Sequence, residues 1–375
     1  MKSALLSAFK QIDVEPSRGE GMWLFTEDGD RYLDFYGGHA VALLGNCHPR
    51  LTKVLSNQAH TLFFQTNLVP LAIRERAAQR LASFAPQGLA NVFFVNSGAE
   101  ANENALRVSF RATGRKKVAA VAGAFHGRTA AAATITAGHE KWYGFPQKPF
   151  EVDFIPFDDI NELNNILNSD TAALIFEPVQ GVAGARAMSQ EFINAARKIT
   201  SERGIVLIFD EVQCGLGRTG WPFAAQAYGV TPDIITTAKG IAGGFPAGAM
   251  LCNDELAKTV TPGALGTTFG GGPLACALIE AVIDTIEELN LLPNVRRLSE
   301  RIKNEAVVGP ITKVQGMGFL LGLHTNIPAA EVLTALRSKK ILAGGAADPN
   351  IVRLLPPLIL EDAHVDALIA ALTDI

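Results

Sequence analysis

Two residues in this chain have the types and the placement to do chemistry together. Asp210 closes the apolar run Ile205-Val206-Leu207-Ile208-Phe209, and Lys239 closes Asp233-Ile234-Ile235-Thr236-Thr237-Ala238. Such runs read as buried strands of a parallel sheet. As neighbours in one sheet they would deliver both side chains to the carboxyl edge, where open α/β sheets bind ligands. Lysine forms a Schiff base with a carbonyl cofactor, and aspartate is the usual partner of the pyridinium nitrogen when that cofactor is pyridoxal phosphate. A lone lysine after a strand is commonly a solvated strand end, so it is the aspartate that makes the reading specific.

The chain supplies further parts of such a site. Asn91-Val92-Phe93-Phe94-Val95 reads as a strand, followed by Asn96-Ser97-Gly98-Ala99-Glu100 and a helical pattern through Ala105, Leu106 and Val108. A strand, a Ser-Gly turn and a helix start present free N–H groups and the positive dipole end to an anion, although Ser97 would serve equally as a plain helix cap. Val118 to Ala122 ends in Gly123-Ala124-Phe125-His126-Gly127-Arg128-Thr129. There Phe125 could stack on a ring or simply fill core, and Arg128 could grip a carboxylate or form a surface ion pair. Thr171 to Phe176 closes on Glu177-Pro178-Val179-Gln180-Gly181. Thr267 and Thr268 lie among glycines in Gly266-Thr267-Thr268-Phe269-Gly270-Gly271-Gly272-Pro273, suited to a phosphate or a carboxylate. Gly37-Gly38-His39 suggests close backbone approach as readily as a plain loop, and Arg353 sits inside an apolar run.

These residues need a large α/β frame. At 375 residues the chain exceeds one ordinary domain, and its net charge of -4 offers no basic patch for nucleic acid and no polybasic membrane anchor. The cysteines, Cys47, Cys214, Cys252 and Cys276, are dispersed and read as reduced thiols with no metal knuckle. The apolar patch Ala4 to Phe9 is too short for a signal peptide or a membrane span, which points to the cytoplasm. Met22 to Phe35 fits a hairpin around Asp28-Gly29, and beyond the helical stripe Leu274 to Leu291 the chain alternates helices and short strands as a second domain. Gly215-Leu216-Gly217-Arg218-Thr219-Gly220 matches a dinucleotide fingerprint only literally. Residues intervene between strand and glycines, Trp221-Pro222 follows at once, and no acid closes the next strand.

With these motifs in order, the chain resembles a class III, fold-type I pyridoxal-phosphate aminotransferase, and within that class the acetylornithine aminotransferase group, over nearly its full length. The matching text is Asn96 to Glu103, Phe125 to Thr129, Glu177 to Gly181, Asp210-Glu211-Val212-Gln213, Arg218-Thr219-Gly220, Ala238-Lys239-Gly240, Gly266 to Gly271 and Arg353-Leu354-Leu355-Pro356-Pro357. The resemblance implies an α/β fold: a large domain with a mostly parallel seven-stranded sheet flanked by helices, plus a smaller α+β domain. It divides the chain into an N-terminal segment 1–40 packing with the small domain, a cofactor domain 41–273 and a small domain 274–375.

It also implies roles. Lys239 carries the Schiff base and Asp210 holds the ring nitrogen protonated. Gln213 bonds near the ring hydroxyl and Phe125 stacks on the ring, while Ser97, Gly98, Ala99 and Glu177 belong to the cofactor site. Thr268 reaches the phosphate from the neighbouring subunit of a homodimer, and Arg128, Thr267, Arg353 and His39 face the substrate. The implied reaction moves the terminal amino group of N2-acetyl- or N2-succinyl-L-ornithine to 2-oxoglutarate, in arginine biosynthesis. An ornithine, 4-aminobutyrate or aminoadipate-semialdehyde aminotransferase, or an aminomutase or racemase on the same scaffold, shares these motifs. One departure stands out. Where the family usually reads Gln-Gly-Glu-Gly after Glu177-Pro178, this chain has Val182, so Arg353 is expected to lack a carboxylate partner and to favour acylated donors over free ornithine.

Overall fold

The structure, a computed structural model, describes residues 4–138 and 143–375. Its centre is a seven-stranded sheet in the order Asn91–Val95, Gly248–Cys252, Ile234–Thr237, Val206–Asp210, Thr171–Phe176, Lys117–Val121, Glu151–Ile155. Only Gly248–Cys252 runs antiparallel to its neighbours. The expected strands form within a residue of their sequence limits. Two were not located from the residues: Glu151–Ile155, an edge strand partly exposed and carrying two acids, and Gly248–Cys252, whose residues include none that is β-branched.

The apolar runs are continuous because both faces of the sheet are covered. Alternate residues divide between two layers. Val118, Ala120, Ala173, Ile175, Val206 and Ile208 pack with Ala105, Leu106 and Val108 of the helix Gly98–Thr113. Ala119, Val121, Leu174, Phe176, Leu207 and Phe209 join the larger core on the other side. Asp210 lies opposite Thr236 in the parallel register of Val206–Asp210 with Ile234–Thr237, which brings Asp210 and Lys239 out on the same edge.

The chain leaves this layer through the helix Pro273–Glu288, which packs on the helices Pro49–Thr61 and Ala72–Phe84. Arg50 and Arg80 both reach Asp284 across that seam, at 3.3 and 2.8 Å. Beyond it, Ile311–Met317, Leu320–Thr325, Ile351–Leu354 and Gly344–Gly345 form an antiparallel sheet that carries Arg353. The expected hairpin is present as Trp23–Thr26 and Arg31–Asp34, with Pro16–Glu20 added on its outer side. On the inner side Arg31–Asp34 pairs in parallel with Ile341–Leu342, joining the two ends of the chain. No helix among the described residues is long and apolar enough to cross a membrane.

Candidate active site

The strand Ile234–Thr237 gives way to Ala238 and then to a single 3-10 turn, Lys239–Ala242, which Gly243 ends with φ +60°. Lys239 itself has φ +50°. A non-glycine residue held there stores about 1–3 kcal/mol of strain, a cost that clusters at functional positions. The lysine opens on a cavity of about 460 Å³ whose wall includes Asn96, Gly98, Ala99, Phe125, Arg128 and Asp210. Burial holds the Lys239 ammonium below the usual lysine range, with Arg353 adding to the effect and Asp210 and Glu177 opposing it. A wider groove of about 1100 Å³, lined by Leu106, Phe110 and Phe150 with Arg107 and Lys117 beside them, contains none of the expected chemistry-bearing residues.

The strand, Ser-Gly turn and helix start form at the expected residues. Ser97 caps the helix Gly98–Thr113 by accepting the Glu100 N–H at 3.2 Å, so its hydroxyl is committed to the helix. Gly98 and Ala99 then stand at the open N-terminal turn. Glycine is required at 98 for contact: a Cβ there would fall 2.7 Å from a methyl of Val212. Phe125 lies on the cavity wall with the Arg128 guanidinium 5.8 Å from its ring centroid, within cation–π range.

Asp210 is 2 % exposed and fixed by three donors or partners. Asn102 donates to its Oδ2 at 2.7 Å, the same oxygen meets His126 Nδ1 at 2.7 Å, and Oδ1 accepts the Val212 N–H at 3.0 Å. Thr236 in turn donates to Asn102 Oδ1 at 2.6 Å. Sequence reasoning assigned no role to Asn102 or His126. One signal was there: Asn102 lies one helical turn after Gly98, on the same face.

The remaining expected residues surround this wall. Glu177 stands behind Phe125, accepting the N–H groups of Phe125 at 2.8 Å and Gly181 at 3.0 Å. Burial, with the nearby Asp210 charge, raises its pKa. Gln213 donates to the backbone oxygen of His39 at 3.2 Å. Thr267 accepts from Asn96 Nδ2 at 3.3 Å and from the Gly270 N–H at 3.1 Å, and neither it nor Thr268 is part of the cavity wall in this single chain. Arg353 bonds Gly345 O and the Tyr36 hydroxyl, and Tyr36 meets His39 Nδ1 at 2.7 Å. Tyr36 is the third residue that sequence reasoning missed, since nothing in its neighbourhood separates it from the buried hairpin residues.

A helix start, the Phe125 ring, a buried acid and a lysine of lowered pKa thus line one cavity. Residues 7–375 match the family model described as "Aminotransferase class-III". The chain belongs to the class-III aminotransferases. This aminotransferase is 41% identical to an acetylornithine aminotransferase of Agrobacterium fabrum over 98% of its own length and 96% of that protein. It is 43% identical to one of Streptomyces coelicolor, covering 96% and 90%. Among solved structures, an ornithine aminotransferase of Toxoplasma gondii, described with partial occupancy of PLP at its active site, superposes with a TM-score of 0.93 at 26% identity, over 99% of this chain and 92% of that one. An acetylornithine aminotransferase of Elizabethkingia anophelis gives 0.88 at 28%, over 99% and 96%. The mostly parallel seven-stranded α/β architecture expected from the sequence is that of these structures.

Proposed function

We propose that this class-III aminotransferase uses pyridoxal 5'-phosphate to move the terminal amino group of an N2-acyl-L-ornithine, acetyl or succinyl, to 2-oxoglutarate. The products are the N-acyl-glutamate 5-semialdehyde and L-glutamate, and the step belongs to arginine biosynthesis. The observation that carries the proposal is the cavity in which Lys239, Asp210, Phe125 and the helix start at Gly98 converge, in a chain about two-fifths identical to acetylornithine aminotransferases.

The residues fit the cofactor. Gly98 and Ala99 offer N–H groups at a helix start whose contact with Val212 leaves no room for a side chain. When bound, pyridoxal phosphate supplies the carbonyl that takes up the amino group and the ring that accepts the electron pair left on the donor carbon. Lys239, its ammonium made easier to deprotonate by burial, would hold the cofactor through its carbonyl carbon and, as a free amine, would take the proton from the amino-bearing carbon of the donor and return it to the cofactor carbon. Asp210, oriented by Asn102 and His126, would pair with the ring nitrogen and keep it protonated. Phe125 would cover the ring and Gln213 its hydroxyl side, and Arg128, Thr267, Arg353 and His39 would serve the substrate.

Two finer statements belong to the same proposal. The enzyme is cytoplasmic, and it works as a homodimer in which Thr268 completes the partner's phosphate site. Support for the dimer comes from an exposed apolar surface around that residue: Phe269 packs on Phe64 at 5.6 Å between ring centroids, with Phe63, Leu68 and Val69 alongside and exposed. We further propose the division 1–40, 41–273 and 274–375, with the helix Pro273–Glu288 as the bridge between domains. Its packing on one side is against large-domain helices, and it continues into the helix Leu291–Glu305.

The deciding experiment mixes the yellow holoenzyme with N-acetylornithine, N-succinylornithine, ornithine and 4-aminobutyrate in turn and follows loss of the cofactor band. Fast loss with an acylated ornithine is expected. Fast loss with free ornithine or 4-aminobutyrate alone would reassign the donor.

A further inference from the structure

The segment Gly37-Gly38-His39-Ala40 has φ values of +53°, +56°, +67° and +68°, four consecutive left-handed residues of which two carry a Cβ. Each non-glycine residue there is strained. The turn is imposed from below, where Asp34 Oδ1 accepts the N–H groups of Tyr36 at 2.9 Å and Gly37 at 2.8 Å. Ala40 of this turn packs in a small apolar cluster with Val179 and Leu355, whereas the His39 side chain is only partly covered. What the turn achieves is a contact: the His39 ring lies 4.7 Å from that of Tyr36, with Nδ1 2.7 Å from the Tyr36 hydroxyl.

Arg353 has only donors, and its NH2 group donates to the Tyr36 oxygen at 3.1 Å. That leaves the Tyr36 hydroxyl hydrogen free to point at Nδ1, the arrangement in which the ring hydrogen sits on Nε2. A neutral ring agrees with its surroundings, since burial together with Arg353, Lys239 and Arg128 lowers the His39 pKa. Arg353 has no carboxylate partner among the described residues. Its Nε donates to Gly345 O at 2.6 Å and its NH1 is buried without a partner. Val182 supplies only its backbone oxygen nearby, to the Ala347 N–H at 2.8 Å. This end of the site therefore presents a cation and an imidazole, and among the described residues no carboxylate bonds to Arg353, Glu177 acting on it only through its charge.

We propose that His39, held as the Nε2–H tautomer by Tyr36 and Arg353, is a specificity-determining residue that donates to the amide oxygen of an N-acylated amino-acid substrate. A carboxylate is taken by an arginine, an amide carbonyl by the neutral imidazole, and a free α-ammonium finds no acceptor here. The assignment rests on the aminotransferase reading above and deepens it, naming the group that recognises the acyl function.

The test uses the holoenzyme with His39→Ala, which removes the donor, and His39→Asn, which keeps an amide donor on a residue that tolerates the left-handed turn. In the half-reaction, the ratio of second-order rate constants for N-acetylornithine over ornithine is expected to fall about three- to tenfold in His39→Ala, the worth of one neutral hydrogen bond. His39→Asn should recover most of it. Independently of turnover, titration calorimetry with N-acetylnorvaline, which lacks the amine to be transferred, should show binding weakened by a similar factor in His39→Ala, with norvaline changed less. Nitrogen NMR should report the Nε2–H tautomer, lost in Tyr36→Phe. Equal losses for acylated and free ligands, or no loss, would overturn the assignment. Should the wild type turn over no acylated donor, the proposed reaction fails, and the N-acetylnorvaline comparison still decides whether His39 reads an amide.

Discussion

Asp210, Asn102 and Thr236 form a buried chain in which each side chain spends its bonding capacity on the next. Asn102→Ala leaves the Thr236 hydroxyl without its acceptor and Asp210 Oδ2 with His126 alone. Loss of about 1–3 kcal/mol is expected, read from the denaturant midpoint of the holoenzyme. The following residue, Glu211, gives the protein a pH dependence of its own. Its carboxylate caps the helix Ala224–Tyr228 through the N–H groups of Ala224 and Ala225, yet burial pushes its pKa up to about 8. Since an unfolded glutamate titrates near about 4.3, folding takes up a proton at this residue across the interval. The stability it contributes is complete below the lower value and is lost as pH rises through the upper one. Glu211→Gln should therefore show a shallower fall in stability between pH 5 and 8 than wild type, measured as urea midpoints at the two pH values.

At the scale of elements, the helix Gly98–Thr113 packs in the core and opens its N-terminal turn on the cavity, and the two meet at Gly98. Gly98→Ala drives a methyl into Val212, 2.7 and 2.8 Å away. Either the turn or Val212 must shift, at about 1–3 kcal/mol. Weaker cofactor retention on dialysis is expected, with partial rescue in Gly98→Ala/Val212→Ala. An uncoupled pair would show that the loss comes from elsewhere. The elements that hold the site were legible because each is a fully buried strand ending in a polar residue, a pattern that survives in one dimension. The edge strand Glu151–Ile155 lacked it, since one side meets solvent and carries charge. Lys239, Asp210 and Gly98, singled out by type and by position after a strand, do line one cavity. The site was not legible where a residue acts through a partner distant in sequence: Tyr36 gains its role only from Arg353, 317 positions away.

For the whole molecule, the apolar surface at Phe63, Leu68 and Phe269 predicts self-association. Leu68 is 91% exposed, so Leu68→Asp has no packing to lose within one chain. A monomer by sedimentation, folded but with loosened cofactor, is expected, whereas an unchanged dimer would place the interface on another face. The pairing of Arg31–Asp34 with Ile341–Leu342 has a consequence for the protein's birth rather than its chemistry. The N-terminal hairpin leaves the ribosome without its inner neighbour, and at about 5–20 residues per second the missing strand follows some 300 residues and about 15–60 seconds later. Throughout that time the turn that bears His39 has only the Asp34 contacts beneath it, because Arg353 comes later still. The contact between Tyr36 and Arg353 is thus one of the last to form in synthesis, and a nascent chain stalled before Ile341 would hold a complete central sheet without it.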